Sequence, residues 1–351
     1  MSLAIPARFA DWPEPFWVLD FPVWKHPHVR RMLAPKALRF VRGSGALKGR
    51  GTLVLWGLQP LPRQWPAERP VLRLEDGFLR SVGLGAELTR PLSWVADGQG
   101  MYYDATRPSD LEEILAQGGF AQDLLDRARR LRERVVAVGV SKYNVGSRAW
   151  RRPAGRDRVI LVVGQVESDA AIAFGCPGIR RNLDLLRAVR AQEPDAYIVY
   201  KPHPDVEAGL RRAGHDEDQA ATWSDATLRD VSIAQVLHEV DAVHVLTSLA
   251  GFEALLRARQ VSCWGMPFYA GWGLTEDKIS IARRTTRLSL DALVAGALIL
   301  YPRYFAQGPQ GPLPVEAALD RLERWKAREE GRRRWWQPLY RALLRHWIGV
   351  R

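Results

Sequence analysis

Five short apolar runs open the chain, at 17–21, 38–41, 52–56, 71–74 and 92–95, and each runs into Gly, Pro or acidic residues. Runs of this length and composition, closed by turn residues, predict strands. Helical periodicity follows. Ser109-Asp110-Leu111-Glu112 has the form of a capping box that opens one helix, and a longer charged helix is predicted over 121–136. A stretch rich in Gly, Arg and Pro, 144–158, reads as a linker. Beyond it the rhythm restarts, with strands at 159–163, 196–200, 242–246 and 261–264 and helices at 182–191, 233–239 and 251–259. Two open parallel sheets joined by a linker follow from this order, because short right-handed crossovers favour doubly wound sheets. The expected class is α/β, with two Rossmann-like domains at 1–145 and 146–305 facing across a cleft and a helical tail at 306–351. Ligands of such sheets sit outside the carboxyl ends of the strands.

Length and composition agree with two medium domains: 351 residues, 47% hydrophobic and 26% charged. Only Cys176 and Cys263 are present, without metal-ligand spacing, so neither a disulfide framework nor a zinc module is expected and a reducing, cytoplasmic setting fits. The first residues lack a long apolar core and do not read as a secretory signal. No run of about 20 apolar residues predicts a membrane span. The net charge is +12, and 321–351 carries +7 of it, with ten basic residues against three acidic ones. Trp325, Trp335, Trp336, Tyr340 and Trp347 alternate with these charges, and Leu339, Leu343, Leu344 and Ile348 recur at helical spacing. Such a segment either lies on an anionic membrane surface or packs its apolar stripe on the body. No RNP, KH or helix-turn-helix signature accompanies the charge, so no nucleic-acid partner is expected.

Four strand ends carry unusual polar residues. In the first, Glu75 and Asp76 follow an apolar strand and precede Gly77, with Arg80 shortly after; the pair suits acid or base work, or simply an acidic turn. The second, Gly164-Gln165-Val166-Glu167-Ser168-Asp169, ends in a carboxylate that can act as nucleophile, as base or as a helix cap. The third holds His203 between Pro202 and Pro204 beside Lys201; the prolines restrict the backbone and aim the imidazole, and the loop offers a cation and an N–H donor to an anion. In the fourth, Thr247 and Ser248 stand just before a helix, where free N–H groups and the helix dipole favour an anion, or where Ser248 merely caps. His244 lies within the strand and reads as core.

No GxGxxG after a strand, no Walker A, no HExxH and no Asp-x-Asp between apolar flanks occurs. This disfavours nicotinamide oxidoreductases, P-loop ATPases and metal-chelating sugar transferases. LEDGFLRSVGLG, MYYDATRPSDLEEIL, SKYN, GQVESD, YKPHPDV, TSLAGFEALL and MPFYAGWG, in this order over 74–272, resemble the KpsC family of capsule polysaccharide biosynthesis proteins, bacterial retaining β-Kdo transferases. The commonest family form carries two such modules in tandem, whereas each motif occurs once here.

The resemblance implies a GT-B-like fold and transfer of Kdo from CMP-Kdo to a lipid-linked, Kdo-terminated acceptor in capsule polysaccharide biosynthesis. His203 and Pro204 match the motif for the CMP phosphate, and Thr247 and Ser248 match the hydroxyl pair near that phosphate or the sugar carboxylate. Asp169, ending a pattern begun by Gln165 and including Ser168, matches the nucleophile. Glu75 and Asp76 match the acidic motif that moves protons, and because neighbouring strand residues point to opposite faces only one, Glu75, is expected to face the donor. Lys201 supports the leaving phosphate, and Arg80 or Lys142 meets the sugar carboxylate. No cofactor and no metal are expected. The implied partners are CMP-Kdo, the lipid-linked acceptor, an anionic membrane surface through 321–351 and other capsule assembly proteins, with the chain peripheral on the inner membrane. Two rival functions fit the same residues: transfer of another nonulosonic acid, as in sialyltransferases, and a non-catalytic glycolipid-binding subunit.

Overall fold

Thirteen strands form two sheets in the computed structural model, which describes residues 7–82, 91–142, 144, 146, 148–305 and 312–329. The first sheet comprises β1 (Phe16–Leu19), β2 (Leu38–Val41), β3 (Thr52–Trp56), β4 (Val71–Asp76) and β5 (Ser93–Asp97). The second comprises β6 (Val159–Val163), β7 (Tyr197–Lys201), β8 (Ala226–Thr227), β9 (Ala242–Val245), β10 (Gln260–Cys263) and β11 (Glu276–Asp277). Two late strands, β12 (Pro302–Phe305) and β13 (Pro312–Leu313), return to the first sheet, whose order is β13-β12-β5-β4-β3-β1-β2.

The second sheet is parallel throughout, in the order β11-β10-β9-β6-β7-β8. Its central strand β6 reads Val-Ile-Leu-Val-Val and is buried at every position, as expected of a strand covered by helices on both faces. The first sheet departs from the expected parallel order. β2, β1, β3 and β4 are parallel, but β5 runs antiparallel to β4, β12 to β5 and β13 to β12. Residues 302–305, placed by the sequence pattern at the end of the second domain, thus complete the sheet of the first. The antiparallel pairing also lengthens β4 beyond its apolar run, since Glu75 pairs with Val95 and Asp76 with Trp94.

Helices cover the sheets much where periodicity placed them: Gln122–Val138, Asn182–Gln192, Ile233–Glu239 and Leu249–Leu256. Ser109 caps the helix Asp110–Gln117 by accepting from the Glu112 N–H at 3.1 Å. One apolar cluster runs from Leu111 and Leu131 beside the first sheet to Phe252 and Trp272 beside the second, so the halves share a core. The helix Val315–Glu329 packs Val315, Ala318, Leu319 and Leu322 inside, and Trp325 lies against the same cluster. Ion pairs of Arg127 with Glu316 and of Arg134 with Asp320 and Glu323 fix its outer side to the helix Gln122–Val138. The first part of the basic tail therefore packs on the body, contrary to a membrane-facing role for Trp325; residues 330–351 lie outside those described. Among the described residues no helix is long and apolar enough to cross a membrane.

Candidate active site

The carboxyl ends of β4, β6, β7 and β9 converge on a cleft of about 640 Å³ between the sheets. At the end of β6, the Gly164 N–H bonds the Lys201 carbonyl at 2.8 Å, and a Cβ on Gly164 would collide with the Tyr200 hydroxyl. Gln165 is then gripped by Asn182: its N–H donates to Asn182 Oδ1 at 3.0 Å, and Asn182 Nδ2 donates to its carbonyl at 2.8 Å. The Gln165 side chain crosses to the next strand end, donating to Thr247 Oγ1 at 2.9 Å and accepting from the Thr247 N–H at 3.3 Å. Asp169 is solvent-exposed, lines the cleft and caps the helix Ala170–Gly175 by accepting from the Ala171 N–H at 3.4 Å. Ser168 is exposed and lies outside the cleft lining.

At the end of β7, His203 Nδ1 accepts from the Asp205 N–H at 3.1 Å. Burial, reinforced by the positive charges of Lys142, Arg211 and Lys201, pushes its pKa down to about 3. The ring is therefore neutral, and with Nδ1 acting as acceptor its proton sits on Nε2. Lys201 is buried and its ammonium pairs with Glu207 at 3.4 Å; burial lowers its pKa. At the end of β9, Ser248 caps the helix Leu249–Leu256, accepting from the Ala250 N–H at 3.3 Å, while the Tyr269 hydroxyl donates to the Ser248 carbonyl at 2.5 Å. His244 is core, 1% exposed, and accepts from Trp264 Nε1 at 3.1 Å.

The opposite wall is acidic. Glu75 and Asp76 both line the cleft, so the expected alternation does not decide between them: they are the last two residues of β4, at the carboxyl end that opens on the cleft. Their environments do differ. Asp76 pairs with Arg80 at 2.5 Å, and Arg80, 3% exposed, also donates to Ser81 Oγ and lies outside the cleft lining. Glu75 accepts the Asp76 N–H at 2.9 Å, and burial together with the Asp76 charge pushes its pKa up to about 7, against the opposing pull of Lys25 and Lys142. Of the two cations proposed for a sugar carboxylate, Lys142 lines the cleft; its N–H is fixed by Glu253 at 2.8 Å, and its charge acts on both Glu75 and His203.

The sequence reading missed Lys25, whose ammonium lies over the Trp56 ring behind the acidic pair and is lowered by burial to about 8. No local pattern marks it. It also passed over Tyr102 and Tyr103, both in the cleft wall; the motif MYYDATRPSD contained them but suggested no role. Chemically, the second sheet contributes an exposed carboxylate, a neutral N–H donor and two hydroxyls at helix starts, whereas the first contributes a carboxyl whose pKa burial and the Asp76 charge push up to about 7.

Two α/β halves meeting at the carboxyl ends of their strands around such a cleft define a GT-B-like fold. Two structures from Thermosulfurimonas dismutans match it: "KpsC, beta Kdo 2,7 transferase", with a TM-score of 0.73 at 38% identity over 89% of this chain and 100% of that one, and "KpsC, beta Kdo 2,4 transferase", with a TM-score of 0.78 at 32% identity over 88% and 98%. The capsule polysaccharide biosynthesis protein family matches residues 65–151 and 148–307, and the chain belongs to that family. The capsule polysaccharide modification protein LipA of Neisseria meningitidis serogroup A is 50% identical over 257 residues, 73% of this chain and 36% of LipA. The lipopolysaccharide-processing protein LpsZ of Rhizobium meliloti is 46% identical over 254 residues, 71% of this chain and 58% of LpsZ. The chain thus spans between about a third and somewhat over half of the length of these curated relatives.

Proposed function

We propose that the chain is a retaining glycosyltransferase that moves Kdo from CMP-Kdo to a lipid-linked, Kdo-terminated acceptor in capsule polysaccharide biosynthesis. The observation that carries this reading is the presence in one cleft of exposed Asp169 and of Glu75, whose pKa burial and the Asp76 charge push up to about 7. Retention requires two displacements. In the first, an Asp169 oxygen attacks the anomeric carbon, the bond from that carbon to the CMP phosphate oxygen breaks, and CMP departs with the electron pair. His203 Nε2–H, the hydroxyls of Thr247 and Ser248 and the helix start at Leu249 stabilise the charge growing on that phosphate. In the second, the acceptor hydroxyl attacks the same carbon while Glu75 takes its proton, and the Asp169 ester breaks to restore the carboxylate. Gln165 ties the two strand ends that carry the donor site, and Lys142 meets the sugar carboxylate. Lys201 acts through its pair with Glu207 to shape the phosphate loop, Asp76 is held by Arg80, residues 330–351 of the basic segment contact an anionic membrane surface, and other capsule assembly proteins are further partners.

The support is threefold: membership of the capsule family, likeness over nearly the whole chain to two structures titled as β-Kdo transferases, and a cleft whose two walls suit the two displacements. The test is incubation with CMP-Kdo and a Kdo-terminated glycolipid, followed by NMR of the product. The expected product carries one added β-linked Kdo. Product from CMP-sialic acid but not from CMP-Kdo would reassign the donor, and absence of product from either would leave glycolipid binding as the function.

A further inference from the structure

Tyr102 and Tyr103 follow Met101, which is fully buried, and the turn closes with the Asp104 N–H on the Met101 carbonyl at 2.9 Å. Their rings pack edge to face, with centroids 5.1 Å apart. Both hydroxyls reach the acidic end of β4: Tyr102 donates to the Asp76 carbonyl and Tyr103 to Glu75 Oε2, each at 3.4 Å. A second element meets the same two atoms. Gly57 has φ +51°, and a Cβ there would stand 2.8 Å from the Tyr103 hydroxyl and 3.0 Å from Glu75 Oε2. Arg73 holds this turn by donating to the carbonyls of Gly57 at 2.7 Å and Gln59 at 3.0 Å. Glycine here permits both the left-handed backbone and the close approach of the tyrosine–glutamate pair.

We propose that Tyr103 is a positioning residue for Glu75: its hydroxyl, enclosed by the Gly57 turn, holds Oε2 while the Asp76 N–H holds Oε1, so that the carboxylate faces the acceptor in one orientation. The proposal rests on the reading of Glu75 as the base for the acceptor hydroxyl. Burial and the nearby charges of Glu75 and Asp169 push the Tyr103 pKa up, so the phenol remains a donor at working pH. The charged groups acting on Glu75 are Asp76 on its own strand, Lys25 from the turn after β1 and Lys142 just before the linker. Removing the phenol withdraws a hydrogen bond that favours the ionised form, so Glu75 keeps its proton to higher pH.

The test is a 13C-carboxyl NMR titration of glutamate-labelled protein, with the Glu75 resonance assigned by its absence in Glu75→Gln. Tyr103→Phe should move its midpoint up by roughly one unit, Gly57→Ala should move it in the same direction by displacing the pair, and Tyr102→Phe should leave it in place. In the transfer assay, Tyr103→Phe should move the acid limb of the pH profile upward and lower kcat about fivefold at pH 7, with the donor KM unchanged. An unmoved midpoint in Tyr103→Phe, an equal shift in Tyr102→Phe, or a shift in Gly57→Ala alone would overturn the proposal. Because the titration needs no sugar, a transferase reading that fails would show itself separately, as a wild type inactive with CMP-Kdo but still carrying the Tyr103-dependent midpoint.

Discussion

On the wall built by the second sheet, the groups facing the cleft are set by local backbone: Asp169, His203 and Ser248 each lie in the short loop after a parallel strand and each caps the helix that begins beside it. On the wall built by the first sheet, Glu75 is shifted first by burial and by the adjacent Asp76 charge and then by Lys25 and Lys142, distant in sequence, while the Tyr103 hydroxyl and the Gly57 turn stand against its Oε2. The first arrangement presents fixed donors and an exposed carboxylate, with a histidine kept neutral by burial. The second sets a proton affinity. In the proposed mechanism, which expels an anion and then deprotonates an alcohol, each wall serves one of the two steps.

The division can be probed by substitutions that injure one wall alone. The largest effect after loss of Asp169 is expected from Glu75→Gln, which should lower transfer to the acceptor by about 10²–10³-fold and abolish the acid limb near pH 7. The sign follows from the role: a base must be ionised, so wild-type transfer rises as pH passes upward through the Glu75 midpoint of about 7. His203→Ala should lower kcat/KM for the donor by about 10²-fold through loss of the Nε2 donor, and cost about 1 kcal/mol of stability through loss of the cap. With a midpoint of about 3, His203 contributes no limb between about pH 5 and 8; a limb that moves in His203→Ala would break the comparison. The smallest catalytic effect is expected from Arg80→Met, since Arg80 is buried against Asp76 and stands outside the cleft lining. Its cost should appear in denaturant unfolding, at about 3 kcal/mol for a broken buried pair, while Lys142→Met should instead raise the donor KM.

The same contrast explains what the sequence disclosed. β6, β7 and β9 are apolar runs ending in Gly, Pro or hydroxyl residues, so the strand, its end and the polar residue beyond lie within one short window, and Gln165, Asp169, His203 and Thr247 could be read directly. The first sheet hides its geometry in long-range pairing. Nothing local says that β5 runs antiparallel to β4 or that 302–305 returns to lie beside β5, and that pairing is what extends β4 through Glu75 and Asp76. Alternation along an isolated strand sent the two carboxylates apart, whereas the cleft reaches both at the carboxyl end of β4. Lys25 carries no motif at all: only burial beside Trp56 and the acidic pair gives it significance. Arg80 and Lys142 looked interchangeable as cations until packing put one behind the wall and the other in the cleft.

Intact-protein mass spectrometry after incubation with CMP-Kdo alone tests the central claim most directly, on wild type, Asp169→Ala and Glu75→Gln in parallel. The account predicts a Kdo-sized adduct on wild type and on Glu75→Gln, where the second displacement has lost its base, and none on Asp169→Ala. An adduct that survives in Asp169→Ala, or one that vanishes in Glu75→Gln, would contradict the assignment of the two displacements to the two walls.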